Sequence, residues 1–109
     1  MIGKRYILLN KQPHLEENLD IWRQWIGNPN HRNVKQYKKH GLHVSTIFLG
    51  LDRNSSNMGP PILFETMLFD DKSGVEKGQW RFATWDKAVA HHDKLIKSIE
   101  EKLHEKGSV

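Results

Sequence analysis

One hundred and nine residues amount to a single domain, long enough to bury a modest core without covalent staples. The absence of cysteine excludes disulfides, cysteine-based zinc sites and thiol catalysis. A formal charge of +4 permits nucleic-acid binding, but the lysines and arginines are dispersed and no long basic run exists, so nucleic acid is not the expected partner.

No long apolar leader opens the sequence, and no apolar run approaches the ~18 residues of a membrane span, so a soluble, intracellular protein is expected. Residues 5–9 read as a short strand, broken over residues 10–14 by Asn10 and Pro13. Asn18 is an N-cap for a helix over residues 19–26, with Leu19, Trp22 and Ile26 on one face and Ile21 and Trp25 widening it. Two tryptophans on so short a helix read as core anchors. Gly27 and Pro29 end the helix. Residues 33–38 read as an edge strand whose lysines discourage edge-to-edge pairing, and His40-Gly41 as the turn that follows.

Residues 44–52 and 62–69 read as two central strands, joined by a polar loop that exits through Pro60-Pro61. In the first strand, Ile47, Leu49 and Leu51 oppose Val44, Thr46, Phe48, Gly50 and Asp52. In the second, Leu63, Glu65, Met67 and Phe69 oppose Ile62, Phe64, Thr66 and Leu68. The face count is expected to bring Asp52 and Glu65 to one side with Thr46, Phe48 and Met67. A second polar loop covers residues 70–78, and residues 79–83 form a last strand. Thr84 caps a long C-terminal helix whose stripe runs through Trp85, Ala88, His92, Leu95, Ile99 and Leu103, fraying near Gly107. The expected fold class is therefore α+β: an antiparallel sheet of about four or five strands, the long helix across one face and the short Trp-rich helix at an edge.

The order of these pieces, with Val44-Ser-Thr-Ile-Phe-Leu-Gly-Leu-Asp52, Gly59-Pro-Pro-Ile-Leu-Phe-Glu-Thr-Met67 and Trp80-Arg-Phe-Ala-Thr-Trp-Asp86, resembles a family of small bacteriophage and prophage proteins of about this length. The resemblance covers nearly the whole chain. It implies a bacteriophage accessory protein acting in the host cytoplasm, and it carries no activity with it. The chain departs from that pattern at Arg53, where family members commonly have His, and at Lys87, where they often have Glu. The first departure speaks against a metal role for the loop; the second removes a capping box.

Glu65 is the sharpest single residue, because a carboxylate inside an apolar run must be solvated, hydrogen-bonded or paired. It reads either as a ligand-binding group or as one half of a pair with Arg81, Arg5 or His92. Asp52 reads as a binding residue at a strand end or as a loop cap. His92 lies on the apolar stripe and reads as a core histidine or a ligand contact. The adjacent His91 and His92 do not share a helical face, and the pair His40 and His43 lacks a third ligand, so no metal and no cofactor is expected. There is no glycine-rich phosphate loop and no supported Ser-His-Asp order.

Arg53 offers charge to an anion, while Trp80, Arg81 and Trp85 supply aromatic faces and a fork of donors close together in sequence, a set that suits a nucleotide. The expected function is non-enzymatic: sequestration of a host-made, nucleotide-derived immune signal through Asp52, Arg53, Glu65, Trp80, Arg81, Trp85 and His92. Two alternatives stand beside it: an inhibitor of a host defence or transcription protein, and a small hydrolase using Asp52, Glu65 and His92 around a divalent ion. A homo-oligomer is expected, since the half-apolar sheet face suits a symmetric partner.

Overall fold

The computed structural model describes residues 3–56 and 58–107. Its elements follow the order β1 (Tyr6–Leu9), β2 (Gln12–Leu15), α1 (Leu19–Ile26), α2 (Pro29–Arg32), β3 (Asn33–Lys39), β4 (Leu42–Phe48), β5 (Phe64–Asp70), β6 (Glu76–Phe82) and α3 (Trp85–Gly107). The strands β3-β4-β5-β6 form an antiparallel meander in that spatial order, while β1 and β2 make a separate two-stranded hairpin. The long helix α3 packs against the meander, so the α+β expectation holds.

Turn chemistry explains both tight hairpins. His40 and Gly41 have φ of 58° and 75°, the twist that lets a two-residue turn join right-twisted strands. Asn10 and Lys11, at φ 51° and 67°, do the same between β1 and β2. The expected break over residues 10–14 is therefore a turn followed by a strand. Asparagine tolerates the left-handed region, and Pro13 is accommodated because β2 pairs on one side only. At α1 the Asn18 side chain accepts from the Ile21 N–H at 3.1 Å, as expected of an N-cap. Gly27 ends the helix in the right-handed region at φ −68°, and Asn28 then caps the short α2, which the sequence did not announce.

The first central strand stops at Phe48 and does not run to residue 52. Gly50, at φ +77°, turns the chain away, and its carbonyl then accepts from the Tyr6 N–H at 2.8 Å. Leu51 bridges to Arg5. The Trp22 indole locks the corner by donating to the carbonyls of Tyr6 and Gly50, both at 3.2 Å. A Cβ at Gly50 would collide with the Ile26 side chain. The substitution Gly50→Ala combines that collision with a strained φ, and it is expected to lower stability by about 1–3 kcal/mol. Urea denaturation of the two proteins measures it; an unchanged midpoint would contradict the account.

Burial alternates along β4. Val44, Thr46 and Phe48 are fully buried, whereas His43, Ser45 and Ile47 are half-buried. One face of the sheet is packed and the other is open, the usual state of an antiparallel sheet with a single helical layer. On the packed face, Phe48, Phe64 and Ala88 join Leu63 to form the core, with Tyr6, Leu8, Trp25, Val34, Phe82 and Trp85 against them. The rings are staggered: Trp25 meets Phe48 edge-on at 5.6 Å, and Trp85 meets Phe64 edge-on at 6.3 Å. Trp25 is thus a core anchor.

Helix α3 begins at the Thr84 cap, whose hydroxyl accepts from the Lys87 N–H at 3.1 Å. Its outer flank is tied to β3. Lys35 reaches Asp93 at 2.6 Å, and the Tyr37 hydroxyl donates to Glu100. Burial, together with that carboxylate, pushes the Tyr37 pKa up to about 12. Such exposed pairs fix the helix's placement more than they stabilise it.

The register overturns one expectation about faces. Phe48 pairs with Phe64, Thr46 with Thr66 and Ile47 with Glu65. Even-numbered residues of both strands therefore share the packed face. Glu65 and Met67 lie on the open face, opposite Thr46 and Phe48, and Asp52 lies beyond the sheet.

Candidate functional site

The open face is built from alternate residues of four strands. Across it run Gln36 and Lys38 of β3, His43, Ser45 and Ile47 of β4, Glu65, Met67 and Phe69 of β5, and Gln79 and Arg81 of β6. Glu65 sits opposite Arg81 in the register, and Met67 opposite Gln79. That arithmetic puts two donors over one carboxylate. Arg81 Nε donates to Glu65 Oε2 at 3.0 Å, and Gln79 Nε2 donates to the same oxygen. The Glu65 residue is only 7 % exposed although its face is open, because these two side chains lie over it. Of its three expected partners, Arg81 is the one it uses.

Arg81 spends a single nitrogen on Glu65. Among the described residues its outer guanidinium nitrogens make no hydrogen bond, and its side chain is 44 % exposed. The carboxylate therefore fixes the plane of the fork and leaves its far end for something else. Farther along the face, His43 Nε2 donates to Gln36 Oε1 at 2.7 Å and its ring lies 5.9 Å from that of Phe69. Burial, and then the Lys38 charge, hold the His43 imidazole below its ordinary pKa, against the pull of Asp71.

A second polar cluster lies beneath α3. Thr46 Oγ1 is 2.6 Å from Thr66 Oγ1 and 2.7 Å from His92 Nδ1, and all three residues are 0 % exposed. His92 Nε2 is buried without a partner among the described residues. Burial pushes the His92 imidazole below its ordinary pKa; Lys35 and His91 act in the same direction, and Asp93 opposes them. The cluster is closed to solvent, and its hydroxyls and imidazole pair with one another between the sheet and α3.

The seven residues singled out in the sequence thus fall into separate places. Glu65 and Arg81 are together on the open face. Trp80 stands between Gln79 and Arg81 in an extended strand, so it points to the packed side, where its ring lies 5.0 Å from His91. Trp85 stands at the start of α3 against Phe64, with Lys11 Nζ 5.5 Å from its ring centre. His92 is under the helix. Asp52 Oδ1 accepts from the N–H groups of Asn54 and Ile62, at 2.8 and 2.9 Å, and so closes the 52–62 loop. Arg53 is exposed beside it.

Asp52, Glu65 and His92 do not converge, and among the described residues no group of three or more metal-ligating side chains does. The hydrolase alternative loses its constellation. Two small recesses occur among the described residues, of about 260 Å³ beside Arg5 and Glu16 and about 190 Å³ beside Pro13 and Trp85; neither is lined by Glu65 or Arg81.

Sequence reasoning missed Gln79 and the two threonines. Their roles depend on register: Thr46 faces Thr66 once the β4–β5 pairing is known, and Gln79 comes beside Glu65 once the β5–β6 pairing is known. No helix among the described residues is long and apolar enough to cross a membrane. Compared with known protein families, curated proteins and solved structures, the chain matches none.

Proposed function

We propose that the protein is a non-enzymatic capture protein, of the bacteriophage accessory kind that its sequence resembles, and that its working surface is the open sheet face. The observation that carries this reading is the Arg81 guanidinium, held at Nε by a nearly buried Glu65 and left with its outer nitrogens unpartnered among the described residues. A fork fixed at one end and free at the other suits a phosphate group, which it can grip with two parallel N–H bonds. The aromatic pair His43–Phe69 lies on the same face, four residues along β5 from Glu65, or about 13 Å. A nucleotide lying along the strand has its phosphate on Arg81 and its base on those rings, the way sheet faces hold unpaired bases. The substrate class is therefore a host nucleotide-derived signal, bound and not cleaved. Trp80 and Trp85 have no part in this version of the site.

The test uses ADP-ribose and a cyclic dinucleotide as probes, with binding read by calorimetry and native mass spectrometry. One probe is expected to be retained stoichiometrically and released intact on denaturation. Arg81→Ala is expected to weaken binding by about 10–100-fold, the worth of a charge-assisted hydrogen bond. Recovery of a cleaved product would make the protein an enzyme. Retention of neither probe, with a host protein recovered in stoichiometric amount instead, would transfer the conclusion to the inhibitor reading.

A further inference from the structure

We propose that two copies of this chain pack face to face through the open side of the β3–β6 sheet, each covering the other's Glu65–Arg81 surface. The inference goes beyond the capture reading and does not need a ligand.

The open face has the anatomy of an interface. Its centre, on β4 and β5, carries Ile47, Met67 and Phe69, all half-buried in the single chain. Its outer strands carry Gln36 and Lys38 on one side and Gln79 and Arg81 on the other. An apolar centre inside a polar ring is how subunit contacts are built, with the centre losing its water and the ring keeping it.

Charge points to a second copy rather than to an unlike partner. The carboxylate at the centre, Glu65, is balanced within the chain by Arg81 of the outer strand. Two such faces therefore meet without like-charge repulsion at their middle. Gln36, Ser45 and Gln79 each donate and accept, so a two-fold arrangement needs no complementary surface of different chemistry. Lys38 stays at the rim, in water.

The area is of the order that a small interface requires. Four strands spaced about 4.8 Å apart, with seven residues rising about 3.3 Å each, give a face of about 440 Å² in flat projection. Two copies then cover about 880 Å² in flat projection, and the relief of the side chains must supply the rest of the ~1,000 Å² that a biological interface has to clear. The competing assembly, pairing of β3 edges, is disfavoured by Lys35, Lys38 and Lys39 along that strand.

Light scattering and native mass spectrometry of the ligand-free protein at micromolar concentration test the assembly. The wild type is expected at twice its 12.8 kDa mass. Ile47→Arg and Met67→Lys, whose long stems can lie on an open sheet face, are each expected to give a folded monomer with unchanged circular dichroism. A wild type at single mass overturns the proposal. So does a dimer that survives both substitutions. The two readings fail separately: a dimer that retains no probe removes capture alone, and a monomer that binds a probe removes the dimer alone.

Discussion

Phe64→Ala is expected to be the most damaging single substitution, lowering stability by about 3–5 kcal/mol. Phe64 is 0 % exposed and stands where β4, β6 and the start of α3 meet. It opens β5 and pairs with Phe48 on one side and Phe82 on the other. Its ring lies 5.3 Å from that of Phe48 and meets Trp85, the first residue of α3, edge-on. Truncation therefore opens a cavity between the sheet and the start of α3, at a point held by paired strands on both sides that cannot simply collapse. Set against a total of about 5–15 kcal/mol, the loss removes about a fifth or more of the protein's stability. The melting temperature is expected to fall by about 15–30 °C. Val75→Ala, at an exposed position in the loop before β6, is the matched control and is expected to change stability by less than about 0.5 kcal/mol. Comparable losses in the two variants would mean that the core does not sit where Phe64 places it.

Local signals in this sequence were strong wherever one residue type decides the backbone. Asn18 before Leu19 marked the start of α1, and Thr84 before Trp85 marked the start of α3. His40-Gly41 marked the turn between β3 and β4. Alternation gave the two central strands and correctly sorted the residues within each. It could not relate one strand's faces to the other's, because residues 49–63 connect them without a tight turn to lock the register. Shifting the pairing by one residue exchanges the two faces, which is why Glu65 was expected beside Thr46 and stands behind it.

The site was legible to the same degree. The Glu65–Arg81 pair was among the partners that the chemistry of a buried carboxylate demands. Trp80 and Arg81, by contrast, looked like one site because they are adjacent in sequence. In a strand, adjacency means opposite faces, and the aromatic half of the expected pocket went under the helix while the cationic half came out into the open. His92 was identified correctly as lying on the apolar stripe. Its partners, Thr46 and Thr66, could not be named without the register that sets them side by side.

Acid is expected to undo the packed face through His92. In the folded chain the imidazole is buried and held below its ordinary value of 6.5, first by desolvation and then by Lys35 and His91, with Asp93 opposing. The unfolded chain has no such restraint. Below about pH 6.5 the unfolded state takes up a proton that the folded state refuses, so stability is complete above that pH and falls as the pH drops toward the folded-state pKa. The slope reaches at most about 1.4 kcal/mol per pH unit for each such histidine. His91 and His43 are displaced in the same direction and add to it. The carboxylates that the fold depresses, Asp70 and Glu100, act only lower, as the pH falls below their ordinary value of about 4. The interval between about pH 6.5 and about pH 5 therefore belongs to the histidines. Protonation of His92 also places a charge against the Thr46 hydroxyl, within a layer where Nε2 already has no partner among the described residues, so the helix loses its seat rather than a surface bond. Urea titrations across that interval are expected to show stability falling steadily for the wild type. His92→Gln keeps an amide beside Thr46 but cannot titrate; it is expected to be less stable at neutral pH and to lose about one proton's worth of the slope. An unchanged slope in His92→Gln would place the acid sensitivity in His91, beside Trp80 and Phe82, and in His43 on the open face, and not in the Thr46–Thr66–His92 cluster.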